Sequence, residues 1–306
     1  MGSFITRTLL DAGHWVRGID KITYAANESL LKEFYSYERF KFQRNDIAEL
    51  DWLYDCDYIV NLAAETHVDN SIVKSDDFIH SNINGVHNIL ELIRKNHHFD
   101  MPIFMHFSTD EVYGDIKQGA HTETDLLRPS NPYSATKAAA DQLILAWNKT
   151  YGVPYIIVRP TNNYGIGQYV EKLIPKVCKF MSVGRKIPLH EKGNPYRVWL
   201  HAQDTANAIL LLIENGIKNS IYNISGPESF KNIEVVNKVL DLYFKNMPEQ
   251  SNNYSQYLDT TIKRIGQDKR YAINDEKIKN LGWVAERRLD DELSGIVNYY
   301  KKNFIW

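Results

Sequence analysis

The apolar positions of the chain fall into short blocks. His14 to Asp20, Phe40 to Asp46, Asp57 to Ala64, Pro102 to Thr109 and Pro154 to Thr161 are brief and largely apolar, and helix-like segments stand between most of them. Strands covered on both faces read as such runs rather than as an apolar/polar alternation. The rhythm predicts an α/β fold, a doubly wound parallel sheet with helices on both sides. Phe4 to Ala12 reads as a helix ended by Gly13, and longer helices are predicted over Asp76 to Lys95 and Tyr133 to Tyr151. Ligands of open parallel sheets lie beyond the carboxyl ends of the strands. Asp20, Ala63, Ala64, Ser108 and Thr109 fall at such ends.

After Thr161 the rhythm gives way to loops rich in Asn, Gly, Tyr and Pro, as in Asn162-Asn163-Tyr164-Gly165. Val198 to Asn215 reads as an apolar helix and Asn246 to Tyr257 as a polar loop. This divides the chain into a larger part, 1–161 with 198–219, and a smaller interleaved α/β part, 162–197 with 220–306. The cleft between them is the expected ligand site.

Composition narrows the class. The 306 residues carry 36 basic and 38 acidic side chains, a net charge of -2, which gives no electrostatic case for nucleic acid or an anionic membrane. Cys56 and Cys178 imply no disulfide framework and fit a reducing compartment, and no apolar run spans a bilayer. A cytoplasmic protein is expected. The ten histidines and two cysteines do not assemble into a metal-ligand spacing, so no metal is expected.

The candidate chemistry starts at Asn131-Pro132-Tyr133-Ser134-Ala135-Thr136-Lys137. A tyrosine and a lysine four apart on a helix project from one face. An ammonium near a phenol, whose ordinary pKa is about 10, favours the phenolate. An ordinary amphipathic helix also produces this spacing, so the neighbours decide. Ser108-Thr109-Asp110-Glu111-Val112-Tyr113-Gly114 closes a predicted strand upstream. Adjacent carboxyls at a strand end can divide the acid and base duties of an elimination, and like charges make one of them hold its proton more tightly.

A dinucleotide fold normally opens with a strand and a glycine-rich turn before its first helix, whereas this sequence opens on the helix. Met1 to Thr6 fits the short myristoylation pattern. Gly2 reads better as the last glycine of such a turn, with Asp20 eighteen residues on, near where an acid meets the adenosine ribose. The expectation is a sequence begun at an internal methionine, the alternative a natural variant that binds its dinucleotide poorly.

With these motifs the chain resembles the extended short-chain dehydrogenase/reductases, and among them the nucleotide-sugar 4,6-dehydratases, those acting on dTDP-glucose most closely. Asp20 with Thr23-Tyr24-Ala25, Asp46-Ile47, Leu62-Ala63-Ala64-Glu65-Thr66-His67-Val68-Asp69, Asn162-Asn163-Tyr164-Gly165, Glu171-Lys172-Leu173-Ile174-Pro175 and Asp268 with Arg270-Tyr271 follow the family's order. The resemblance implies a Rossmann-like NAD-binding domain and a nucleotide-sugar-binding domain. It implies Thr109, Asp110, Glu111, Tyr133 and Lys137 as catalytic, and Gly2, Asp20, Asp46, Ile47, Ala63, Ala64, Tyr133 and Lys137 as cofactor contacts. Substrate contacts would be His67, Asn162, Glu171, Lys172, Leu173, Arg197 and Arg270. By the family's mechanism Tyr133 takes the C4 hydroxyl proton, Lys137 keeps Tyr133 ionised, Glu111 removes the C5 proton and Asp110 protonates the leaving C6 hydroxyl. The predicted helices Asp76 to Lys95 and Tyr133 to Tyr151 resemble those of the family's intersubunit bundle and imply a homodimer. Val170, Val198 and Gln267 depart from the family's proline, aspartate and histidine, which leaves the nucleotide and sugar open. Epimerases and UDP-glucuronate decarboxylases share the fold and the Tyr-Lys pair, with Asp110 as the discriminator. A catalytically silent binding protein is the alternative of another class.

Overall fold

The computed structural model describes residues 1–96, 100–245 and 253–303. Its larger part is built on strands β3 (Tyr58–Asn61), β4 (Ile103–Phe107), β5 (Tyr155–Pro160) and β9 (Ser220–Ile224), parallel and in the order β3-β4-β5-β9. Strands β1 (Val16–Asp20) and β2 (Phe40–Arg44) form a separate parallel pair.

The side chains of β4 and β5 sort by period two onto two helical layers. Ile103, Met105 and Phe107 join Ile156 and Val158 in a core completed by Ile5 and Leu9 of α1 (Gly2–Asp11) and Ile209 and Leu212 of α8 (Ala202–Asn215). On the other face Phe104 and Ile157 meet Ile89, Leu90 and Ile93 of α5 (Gly85–Asn96) and Ala140 and Ile144 of α6 (Pro132–Tyr151). Ile93, Ile144 and Ile157 are fully buried, each stabilising the fold by about 1.5–3 kcal/mol. The smaller part has a three-stranded sheet, β10 (Glu228–Lys231), β8 (Tyr196–His201) and β6 (Asn162–Tyr164), in that order. Its own core joins α7 (Leu173–Ser182), α9 (Asn232–Tyr243) and α11 (Leu289–Lys302) through Val177, Val236, Leu240 and Val297.

Helix α6 shows how local chemistry sets a boundary. Asn131 Oδ1 accepts from the Ser134 amide at 2.9 Å while the Ser134 hydroxyl faces the Asn131 amide, a capping box reinforced by Pro132 at the first helical position. Gly152, in the left-handed conformation, ends it.

Several sequence expectations shift. The predicted helix over Asp76 to Lys95 is interrupted: Asp76–Phe78 (α4) leads into a π-helical turn over Ile79–Asn84 before α5. Val198 to Asn215 is not one helix, since residues through His201 complete β8 and the helix starts at Ala202. His201 caps the helix, its side chain accepting from the Gln203 amide, and the polar run His201, Gln203, Asp204, Thr205 marks the junction. The division at residue 219 also moves, because β9 pairs with β5 and belongs to the larger sheet. Ile278 and Trp283 pack into that sheet's core as well, and Trp283 Nε1 donates to the Asp204 carbonyl at 3.0 Å. Of the predicted loop from Asn246 to Tyr257, residues 246–252 lie outside the described residues, and Tyr254–Tyr257 forms a 3-10 turn. Cys56 and Cys178 are free thiols. Among the described residues no helix is long and apolar enough to cross a membrane.

Candidate active site

Beyond the end of β4 the chain turns sharply into a 3-10 turn, Asp110–Tyr113. The Thr109 hydroxyl accepts from the Glu111 amide and donates to Asp110 Oδ1, both at 3.3 Å. Gly114 follows with φ +81°, and a Cβ there would sit 2.4 Å from the Arg128 carbonyl oxygen, so only glycine closes this turn without distortion. The adjacent carboxyls thereby acquire different surroundings. Asp110 is 2% exposed and its Oδ2 is buried without a partner, whereas Glu111 lines the cleft between the two parts of the molecule. Burial, and next the Glu111 charge, push the Asp110 carboxyl up to about 7, against the opposing charge of Arg197. Glu111 Oε2 accepts from Tyr271 Oη at 3.4 Å and from Asn131 Nδ2 at 3.5 Å.

Helix α6 carries Tyr133 and Lys137 to the same place, where both are buried. The expected lowering of Tyr133 by Lys137 is not found. Burial, then Glu111, raise the Tyr133 phenol, with the neighbouring Thr109 hydroxyl acting the other way. Lys137 instead places Nζ 3.2 Å from His106 Nε2 in β4. Burial lowers the Lys137 ammonium to about 8, opposed by the Asp141 carboxylate. Beneath this, Arg159 pairs with Asp141 at 3.0 Å and donates to Tyr113 Oη at 2.6 Å, tying β5, α6 and the turn together.

A second cavity lies at the carboxyl ends of β1 and β3 and is lined by Asp20, Lys21, Asp46, Ile47, Ala63 and Ala64. Asp20 Oδ1 accepts from the Ile22 amide at 2.7 Å, and Ile22 has φ 56°, a strained value for a β-branched residue. Lys21 does not point into open solvent: its Nζ donates to Ser81 Oγ at 2.9 Å and pairs with Asp46 at 3.3 Å. Asp46 also accepts from the Ala48 amide at 2.9 Å and faces His80 at 3.1 Å. An exposed carboxylate, two small alanines and no unengaged lysine beside them fit a ribose with free hydroxyls. Gly2 begins α1, is exposed and does not line this cavity; a Cβ there would meet nothing within 4 Å.

The cleft between the two parts gathers most of the predicted substrate contacts: His67, Asn162, Glu171, Lys172, Leu173 and Arg197 all line it. Arg197 is buried, donates to the Tyr196 carbonyl at 2.7 Å and stacks on Tyr271 at 4.4 Å. Lys172 Nζ donates to the Thr66 carbonyl and hydroxyl, each at 3.0 Å. Arg270 is not brought to the cleft. Its guanidinium donates to the carbonyls of Ile116 and Gly119, at 3.3 and 3.0 Å, and holds that loop. Arg264, unremarked in the sequence, stands in the cleft instead, with Nε and Nη2 at 2.6 and 2.9 Å from the Asp69 carboxylate. Its Nη1 donates to Gln267 Oε1 at 3.1 Å, which gives one of the family departures a local role. Asp69 also faces His190 at 3.5 Å; burial works against its ionisation, but His190 and Arg264 prevail and hold it well below the usual carboxylate range. His106, His190 and Arg264 carried no sequence signal because they come from separate segments with no shared spacing.

Residues 1–295 match the family model described as GDP-mannose 4,6 dehydratase. The chain belongs to that family. Relatives in the dehydratase family include the probable dTDP-glucose 4,6-dehydratase of Sinorhizobium fredii, 37% identical over 100% of this chain and 91% of its own. The dTDP-glucose 4,6-dehydratase of Haemophilus influenzae is also 37% identical, over 99% of this chain and 95% of its own. Among solved structures, the dTDP-glucose 4,6-dehydratase of Streptomyces venezuelae with NAD bound superimposes with a TM-score of 0.89 at 32% identity, covering 99% of this chain and 94% of that one.

Proposed function

We propose that this chain is an NAD-dependent dTDP-glucose 4,6-dehydratase, converting the nucleotide hexose to its 4-keto-6-deoxy product. The observation that carries the reading is the divided pair at the end of β4. Asp110, raised to about 7, is protonated in about half of the molecules at neutral pH, where an ordinary aspartate would not be, while Glu111 faces the cleft. An epimerase needs no acid at C6, so this pair favours dehydration.

Bound NAD would supply the hydride-transfer chemistry, away from C4 and back to C6. Tyr133 takes the C4 hydroxyl proton; burial and Glu111 raise its phenol, and the neighbouring Thr109 hydroxyl opposes that rise. Glu111 removes the C5 proton, and Asp110 gives its proton to the departing C6 hydroxyl. Asp20, Asp46, Ile47, Ala63 and Ala64 would hold the adenosine half of the cofactor, with Lys21 already engaged by Ser81 and Asp46, which supports NAD over NADP. Arg197 would meet the diphosphate as a planar donor. A cytoplasmic location and a homodimer belong to the same reading.

Incubation with NAD and either dTDP-glucose or UDP-glucose, followed by the alkaline absorbance of a 4-keto sugar, tests the proposal. The absorbance is expected with dTDP-glucose. Its absence with both sugars, in protein that binds NAD, would overturn the reading.

A further inference from the structure

Lys172 at the N-cap of α7, with Leu173 and Lys176 inside the helix, lines the cleft, and the Lys176 amide donates to the Lys172 carbonyl at 2.9 Å, so one turn of helix presents both lysines. The two differ in what they meet. Lys172 Nζ is held by Thr66 and pairs with Glu171 at 3.2 Å. Lys176 has no ion pair and no side-chain hydrogen bond among the described residues. The carboxylates whose charge acts most on it are taken, Glu171 by Lys172 and Asp69 by Arg264. Lys176 is half-buried, and burial lowers its ammonium. A lysine on a protein surface ordinarily keeps its head in water or against a carboxylate. One drawn partly out of water without a counter-ion, in the wall of a cleft, leaves a positive charge for a ligand to meet.

Arg197 is the other cation of this cleft that no carboxylate pairs with among the described residues; its hydrogen bonds go to the carbonyls of Tyr196 and Asp268. The two stand in different surroundings. Arg197 lies against the catalytic turn, where its charge acts on Asp110 and its guanidinium stacks on Tyr271. The charges that act most on Lys176 are those of Asp69, Arg264, Lys172 and Glu171. A nucleoside diphosphate hexose carries one ionised oxygen on each of its two phosphates and no other charge, so two unpaired cations match it in number. We infer that Lys176 is a specificity-determining residue for the nucleotide, its ammonium meeting the phosphate nearer the nucleoside while Arg197, beside the reacting end, meets the one nearer the sugar. The inference rests on the proposed function for the identity of the ligand and adds a residue that no motif marked.

Isothermal titration of the full chain with thymidine, dTMP and dTDP adds the phosphates one at a time. Lys176→Met keeps an unbranched apolar stem and removes the charge. Thymidine should bind it as it binds the wild type, while dTMP and dTDP should each lose about ten- to a hundredfold in affinity, the worth of one charge-assisted hydrogen bond. Lys176→Arg should recover most of that loss. Equal affinity of dTMP for the wild type and Lys176→Met would overturn the assignment. A loss for thymidine as large as that for dTMP would overturn it as well, because it would mark a packing role. Wild-type protein that binds dTDP no more tightly than thymidine would do so without any variant. Titration needs no turnover, so the expected pattern in a protein that makes no 4-keto sugar would count against dehydration and leave this assignment standing. Dehydratase activity with an unaltered dTMP affinity in Lys176→Met would do the reverse.

Discussion

A carboxyl group that must release a proton partway through a reaction has to hold it at the working pH, and burial gives Asp110 that property without any change in the chemistry of aspartate. Turnover is therefore expected to lose its acid form above about pH 7 and to decline on that limb, as a pH-rate profile would show. Asp110→Asn should lower kcat by about a hundred- to ten-thousand-fold, with reduced nicotinamide accumulating in single turnover, because C4 oxidation does not need this acid. Tyr133→Phe should form none. The same shift affects stability. Between the ordinary 3.8 and about 7 the native state holds a proton that the unfolded chain has lost, so stability falls as pH rises through that window. Asp110→Asn should remove this slope in urea titrations at stepped pH. The motif residues were legible in the sequence because Thr109, Asp110 and Glu111 are contiguous and Tyr133 and Lys137 share a helix face. The direction of Lys137 was not, because His106 approaches from another strand. Arg270 and Arg264 are six positions apart and equally basic, and only the loop between β11 (Leu258–Asp259) and α10 (Glu276–Lys279) decides which reaches the cleft.

The bounds of helix α6 were legible to within a residue, Tyr133 to Tyr151 against the observed Pro132–Tyr151, and its capping box can be tested directly. Asn131→Ala removes the acceptor for the Ser134 amide and should cost about 1 kcal/mol in urea unfolding. It also removes the Nδ2 contact to Glu111, so turnover should fall further than stability alone explains. The β8 to α8 junction was missed because its cap is unusual. The join carries His201, Gln203, Asp204 and Thr205, but no glycine or proline, and a histidine is not among the usual helix-capping residues. The π-helical turn was equally silent, yet its positions are specific: Ser81 meets Lys21, and Asn82 bonds Thr136 Oγ1 at 2.9 Å and the Glu65 amide at 2.9 Å.

At the scale of the molecule, contacts between distant segments span the cleft. Tyr24 Oη donates to Glu171 at 3.1 Å, Lys172 reaches Thr66, and Arg264 clasps Asp69. Arg264→Ala should raise the KM for the nucleotide sugar by about tenfold while NAD affinity changes little, as steady-state kinetics and titration would measure. Val73 and Ile79 are exposed near the π-helical turn, beside the two helices expected to meet a second copy, and light scattering should give twice the chain mass. The interleaving of the two parts also sets a timetable. Asn219 meets Tyr155 across 64 residues, and most of the intervening chain belongs to the smaller part. The last strand of the larger sheet cannot dock until that part has been synthesised, and loop closure over such distances makes assembly slow. Neither half is then a separable module. A nascent chain released early would expose the edge of β5, and a nucleotide sugar that ties the clasp would lengthen the lifetime of the whole fold, not of the cleft alone.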